Sequence, residues 1–160
     1  MLVRAAAATD FDAIARILCP VIEAGETYAL PPEWTEQQIL AYWFSSSHQV
    51  FVAENEGMVI GTYYLHPNQQ GGGAHVANCG YVTSSSATGQ GVARAMAAHS
   101  LQQAKQDGFL AMQFNFVVST NDRAVQLWQR LGFAIVGRLP KAFRHPHLGF
   151  VDALVMYRTL

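Results

Sequence analysis

The chain has 160 residues, 51% of them hydrophobic and 13% charged, with a formal net charge of −1. That composition lies outside the disordered range and suffices for a sizeable core in one domain, residues 1–160. A charge so near zero leaves no basic surplus for a nucleic-acid backbone, and no apolar run approaches the ~20 residues of a membrane span.

Cys19 and Cys79 make no disulfide framework, and the N-terminus carries no secretory pattern. A cytoplasmic location is expected, with neither nucleic acid nor membrane as partner. Residues 2–6 read as a first strand. Thr9 then offers a helix cap, with Asp12 three residues on. Ile14, Ile17, Leu18, Val21 and Ile22 form one apolar helix face. Pro20 is expected to kink or end that helix near Cys19. Residues 25–32 read as a loop, because Pro31-Pro32 cannot propagate a helix. Thr35, with Gln38 as its capping partner, starts a second helix that buries Ile39, Tyr42 and Trp43. Residues 49–54 and 58–66 are strands joined through Asn55-Glu56-Gly57, a hairpin signal. Residues 67–73 read as a solvated hairpin end, and a central strand runs from His75 to Thr83.

After that strand come Thr88-Gly89-Gln90-Gly91-Val92-Ala93-Arg94 and a helical pattern from about Gln90 to Asp107. A strand, a Gly-spaced loop and a helix in that order make an anion trap. The glycines let a ligand approach the main chain, and the first helical N–H groups have no intrahelical partner. The helix macrodipole adds roughly half a positive charge there, so a phosphate or pyrophosphate is the usual guest. Two familiar nucleotide patterns fail: Arg94 stands where a dinucleotide fingerprint needs its third glycine, and no Gly-Lys-Ser/Thr follows. A phosphate site of another kind, or a structural turn, remains.

Ala93, Met96, Ala97, Leu101 and Ala104 mark that helix's buried face, and Gly108 ends it. Residues 111–118 are another strand. Asn121 starts a helix with Ala124, Leu127, Trp128 and Leu131 in apolar spacing. Residues 134–139 and 150–157 close the sheet, with a basic, aromatic loop at 141–147. The order β-α-α-β-β-β-α-β-α-β-β mixes hairpins with βαβ crossovers. It predicts an α/β fold with a mixed, mostly antiparallel central sheet and helices on both faces.

With this order, Thr88-Gly89-Gln90-Gly91-Val92-Ala93 resembles the phosphate motif Gln/Arg-x-x-Gly-x-Gly/Ala of the GNAT superfamily of acyl-CoA N-acetyltransferases, with Thr88 in place of the long polar residue. Residues 121–133 resemble a second family signature, Asn-x-x-Ala-x-x-Leu-Tyr-x-x-x-Gly-Phe, with Trp128 in place of the tyrosine. The likeness covers essentially the whole chain. It implies acetyl-CoA as cosubstrate, CoA as product, and a homodimer as one arrangement. It also implies cofactor contacts at Tyr81, Val82, Thr83, Thr88, Gly89, Gln90, Gly91, Val92, Ala93, Arg94, Asn121 and Trp128. The 24–28 stretch is similar to the phosphinothricin acetyltransferases and puts Glu26 and Tyr28 at the acceptor; a plain loop role is the alternative. The 138–144 and 151–153 stretches are similar to enzymes that acetylate proline analogues such as azetidine-2-carboxylate. That likeness assigns Asn78, Asn115 and Asn121 to acceptor and catalysis. The plainer reading of all three is that they satisfy backbone groups or cap elements.

The chemistry is attack of an amine on a thioester, which needs a held pyrophosphate, a donor for the oxyanion and an exit for two protons. The family takes the donor from the end of the central strand, here residues 80–82. That strand has no carboxylate between His75 and Thr83, and indole is no useful acid. Catalysis by proximity and orientation, with water moving protons, is therefore expected. By alternation Asn78 shares a face with Val76 and Gly80, and Asn115 shares one with Gln113 and Val117, opposite Phe114 and Phe116. His75 reads as a surface histidine ahead of a base acting through water, Lys141 and Arg144 either meet an acceptor carboxylate or are simply solvated, and His145-Pro146-His147 lacks a third metal ligand. Three functions stay open: acetylation of a small-molecule amine, acetylation of a protein amine, and non-catalytic acyl-CoA binding.

Overall fold

Every strand of the structure forms from one of the β-rich runs, and all join one sheet. The computed structural model describes residues 1–160. Its strands are β1 (Leu2–Ala5), β2 (Gln49–Asn55), β3 (Met58–Pro67), β4 (Val76–Thr83), β5 (Ala111–Val118), β6 (Ala134–His145) and β7 (Gly149–Thr159). The helices are α1 (Phe11–Ala24), α2 (Glu36–Trp43), α3 (Val92–Gln106) and α4 (Asp122–Arg130). The spatial order is β1-β2-β3-β4-β5-β7-β6, and only β4 and β5 run parallel. Glu56 and Gly57 both have positive φ, as a two-residue type I′ hairpin between β2 and β3 requires.

Two apolar layers cover the sheet. On one face α1 and α2 close over Val50, Val52, Tyr64 and Val82. On the other, α3 and α4 close over Tyr63, Cys79, Met112 and Phe114. Each fully buried large side chain contributes on the order of 1.5–3 kcal/mol. Trp43 is among the largest, and its indole N–H donates to Thr62 Oγ1 at 3.0 Å.

Four expectations are corrected. Pro20 does not end α1, which runs on to Ala24. It sits on the exposed side, so the Arg16 carbonyl it leaves unbonded faces water. Thr9 does not cap α1. Asp10 holds that corner instead, accepting from Ala7 N–H at 2.7 Å and from Arg4 at 2.7 and 3.0 Å. The Arg4 guanidinium keeps the Asp10 carboxyl below its usual range. Residues 141–147 are not all loop. β6 runs to His145 through a register shift between Leu139 and Phe143, where Lys141 N–H donates to Asp152 Oδ1 at 2.9 Å. Finally, Val117 does not share a face with Asn115. A register shift between Phe114 and Val117 resets the alternation and sends Val117 into the same core as Phe114.

Candidate active site

β4 and β5 pair at one end only. Their register covers Val76↔Ala111 and Ala77↔Met112, beyond which both strands continue unpaired with each other. The split opens a cavity of ≈ 270 Å³. Residues 78–81 and 114–118 form its walls, residues 27–30 close one side, and Asn121 and Trp128 the other. No charged side chain lines it.

The ladder with β3 decides which β4 amides reach this cleft. Ser84 N–H donates to Ile60 O at 2.9 Å, and Asn68 N–H to Val76 O at 2.7 Å. In an antiparallel pair such bonds recur at every second residue, so Asn78, Gly80 and Val82 direct their amides to β3. Cys79, Tyr81 and Thr83 turn theirs toward the split. Of the three residues expected at the cofactor here, Val82 has its backbone paired and its side chain buried beneath α1 and α2. The Tyr81 carbonyl accepts the Tyr28 hydroxyl at 3.1 Å, which pins the 25–32 loop against the cleft. The Tyr81 ring turns into the opposite layer, where its hydroxyl meets Ser100 Oγ at 2.6 Å.

At the other end of β4 the chain turns through residues 84–91 into α3. Gly89 and Gly91 have φ of 82° and 79°, and nothing lies within 4 Å of a Cβ added to either. Backbone conformation, not crowding, demands glycine there. The first intrahelical bond is Ala95 N–H to Gly91 O at 3.0 Å. The amides of Val92, Ala93 and Arg94 therefore point out of the helix end, with the positive pole of the macrodipole behind them. α3 starts at Val92, two residues later than its pattern predicts, because Gly91 is left-handed. Thr88, Gly89, Gln90 and Arg94 are exposed around this end, and Gln90 Nε2 donates to Ser86 O at 3.2 Å.

The three asparagines all line the cavity. Asn78 is buried; its Nδ2 donates to Gln113 O at 2.8 Å and its Oδ1 accepts from His66 Nε2 at 3.1 Å. Asn115 is exposed; it accepts from Gln113 Nε2 at 2.9 Å and donates to Asn68 Oδ1 at 2.6 Å. Asn121 caps α4, its Oδ1 accepting from Ala124 N–H at 3.4 Å. The plainer reading thus describes bonds that Asn78 and Asn121 make, whereas Asn115 bonds only the side chains of Gln113 and Asn68. Each Asn amide has two hydrogens, so Asn78 and Asn115 each retain one for a ligand. Tyr28 lines the cavity, but Glu26 does not; it faces His147 Nε2 at 3.7 Å on the β6–β7 turn. Trp128 is buried against Phe114 and Tyr81, ring centroids 4.8 and 4.9 Å away. The Cys79 thiol is buried and pushed up to about 12, so it is no nucleophile.

Residue-type reasoning passed over one cluster. His48 stacks on Tyr64 at 4.2 Å, and His66 lies 4.6 Å from His48. His48 Nδ1 donates to Trp43 O at 3.0 Å, which fixes its tautomer when neutral. Burial lowers both histidines below their ordinary value. His66 and Asn68 also border an outer groove with Ser47, Gln69 and Gln70. The pairs His66–Asn78 and Asn68–Asn115 form the wall between groove and cleft. The 67–73 segment is the largely exposed hairpin end that was expected, and its residues 67–70 also border this groove. The only signal was the hairpin register, which sets His66 opposite Asn78. Lys141 and Arg144 lie exposed on β6, away from the cavity lining, and Arg138 pairs with Asp152 at 2.8 Å. His145 Nδ1 accepts the backbone N–H of His147 at 3.1 Å, shaping the turn.

Residues 12–133 match the family model described as Acetyltransferase (GNAT) family. The N-acetyltransferase aca1 of Schizosaccharomyces pombe is 30% identical over 151 residues, spanning 84% of this chain and 72% of that protein. The structure of a GCN5-related N-acetyltransferase from Kribbella flavida is 42% identical, with a TM-score of 0.95 and coverage of 99% of this chain and 97% of that one. A phosphinothricin acetyltransferase from Sinorhizobium meliloti, solved with acetyl-CoA, shares the fold at 21% identity, with a TM-score of 0.86, covering 99% of this chain and 88% of that one.

Proposed function

This chain belongs to the acetyltransferase (GNAT) family, an N-acetyltransferase with acetyl-CoA as donor, and from that premise we propose that its acceptor is the amine of a small molecule, an amino acid or an analogue. The observation that carries this reading is the cavity: ≈ 270 Å³ in volume, covered by the loop that Tyr28 pins, and lined without a charged side chain. A lysine tail or a polyamine brings further positive charge and finds no carboxylate there. A small acceptor with one carboxylate finds the remaining hydrogens of Asn78 and Asn115.

In this reading the α3 amides hold the CoA diphosphate through charge-assisted hydrogen bonds, each contributing about 1.5–3 kcal/mol. Thr88, Gly89, Gln90 and Arg94 surround it, and Asn121, Thr83 and Trp128 flank the pantetheine end. The neutral amine attacks the thioester carbonyl, forming the C–N bond. The Tyr81 N–H meets the oxyanion, a contribution on the order of 3 kcal/mol to the barrier. The C–S bond then breaks, the ammonium proton passes to water, and the thiolate takes a proton from water. Proximity and orientation supply the rest.

The polar groove at 47 and 66–70 favours a second reading, a longer peptide acceptor that enters past Asn68. A thiol-release assay over amino acids, their analogues and short peptides decides. Turnover with free amino acids or analogues supports the first reading. Turnover with peptides alone supports the second. Tight CoA binding without any turnover overturns both in favour of a binding module. The same proposal extends to a homodimer in the cytoplasm. Ile135, Val136, Leu139, Leu148 and Phe150 stay exposed on β6, β7 and the turn between them at the sheet edge, an apolar surface that fits a second copy. Sedimentation of the wild type against Phe150→Glu tests it; a wild-type monomer removes the idea.

A further inference from the structure

Parallel pairing of β4 with β5 stops after Ala77↔Met112. In that register the following rung would join the Cys79 amide to the Gln113 carbonyl. The carbonyl is already taken, by Asn78 Nδ2 at 2.8 Å. A side-chain amide thus occupies the acceptor that the next main-chain rung needs. The other end of the same amide is fixed too: Asn78 Oδ1 accepts from His66 Nε2 at 3.1 Å, directly across the β3–β4 ladder. Only one orientation of the Asn78 amide satisfies both neighbours, because a carbonyl needs a donor and the His66 N–H needs an acceptor. Asn78 is 9% exposed, so water cannot easily replace either bond.

We propose that Asn78 and His66 are positioning residues that keep the β4–β5 split open. Asn78 caps the Gln113 carbonyl, His66 fixes the Asn78 amide, and the Cys79 amide is left without a β5 partner. The width of the acceptor end of the cleft follows from this clip. Gln113 extends it, since its side chain orients Asn115 at 2.9 Å. The proposal concerns the cleft of the preceding reading, but its first test needs no acceptor.

Amide hydrogen exchange at Cys79 is measured in the wild type and in Asn78→Ala. The variant frees the Gln113 carbonyl, so the added rung should slow Cys79 exchange about tenfold or more while neighbouring amides hold or speed up. A general loss of stability speeds exchange, so slowing at one amide is a distinct signature. Acetyl-CoA affinity at the α3 end should stay within about threefold, whereas kcat with any acceptor found in the amine panel should fall at least about tenfold. If Asn78→Ala does not fold, His66→Phe and His66→Gln decide. Phenylalanine should slow Cys79 exchange in the same direction, and glutamine, which keeps a donor, should restore the wild-type rate. Unchanged Cys79 exchange in a folded Asn78→Ala, or equal exchange in the two His66 variants, overturns the proposal.

Discussion

The two ends of the cleft are made of different material. The proposed donor end is main chain: seven consecutive residues, two left-handed glycines and the free amides of one helix end. The proposed acceptor end is side chain: Tyr28, His66, Asn78 and Asn115 arrive from four segments, and each is held by hydrogen bonds, Tyr28 to the Tyr81 carbonyl, His66 to Asn78, Asn78 to the Gln113 carbonyl and Asn115 to Asn68. An end built from backbone tolerates side-chain change and fails when φ is disturbed. An end built from side chains tolerates little substitution, and each residue's effect passes through its partners.

The largest effect should come from disturbing φ at the donor end. Gly91→Val places a β-branched residue in the left-handed region, costing about 1–2 kcal/mol, and misaims amide contacts of about 1.5–3 kcal/mol each. Calorimetry should show acetyl-CoA affinity about 100-fold weaker in a protein that still folds; unchanged affinity would mean the diphosphate sits elsewhere.

Next is crowding at the acceptor end. A Cβ on Gly80 would stand 2.6–2.7 Å from the Tyr64 ring. That ring is packed between His48 and Trp43, centroids 4.2 and 4.8 Å away. Gly80→Ala should cost about 1–3 kcal/mol by overpacking and raise the acceptor KM about tenfold, with CoA affinity unchanged. Equal losses at both ends would mean that the two ends are not built independently.

The third test uses pH. His48 and His66 stand at the acceptor end, and burial lowers both in the folded state. As pH falls through about 6.5 the unfolded chain binds these protons first. Stability is therefore full above that pH and declines on acidification until the folded-state values are passed. The melting temperature should drop between about pH 7.5 and 5, and the His48→Gln, His66→Gln double variant should flatten the drop. The Asp10 carboxyl, held low by Arg4, should lose its contribution only at a lower pH, below about 4.

The smallest effect expected is a gain. Thr88→Arg supplies the long polar side chain at the edge of the proposed anion site. An exposed charge pair of up to about 1 kcal/mol should tighten CoA by a few-fold, less at high salt. No change in affinity or salt slope would mean that the backbone alone holds the diphosphate.

These differences also explain what was legible. The Gly-spaced turn into α3 could be read because its geometry is local: residue types that set φ are adjacent in sequence to the amides they expose. The Asn121 cap and the hairpin at Glu56-Gly57 were readable for the same reason. Pro20 misled because a proline's cost depends on whether the freed carbonyl meets water, and burial is tertiary. Asn115 was placed at the cleft by likeness, but its face was argued from an alternation that the shift before Val117 interrupts.

The sequence alone determined the element order, the Gly-spaced turn into α3 and the family signatures, because propensities, caps and φ preferences act over a few neighbouring residues. Only the tertiary structure decided where β4 and β5 part, which β4 amides face the opening, and that His66, twelve positions from Asn78 in the chain, grips it. Those outcomes depend on strand register and on hydrogen-bond acceptors contested by distant groups, and no short-range pattern encodes them.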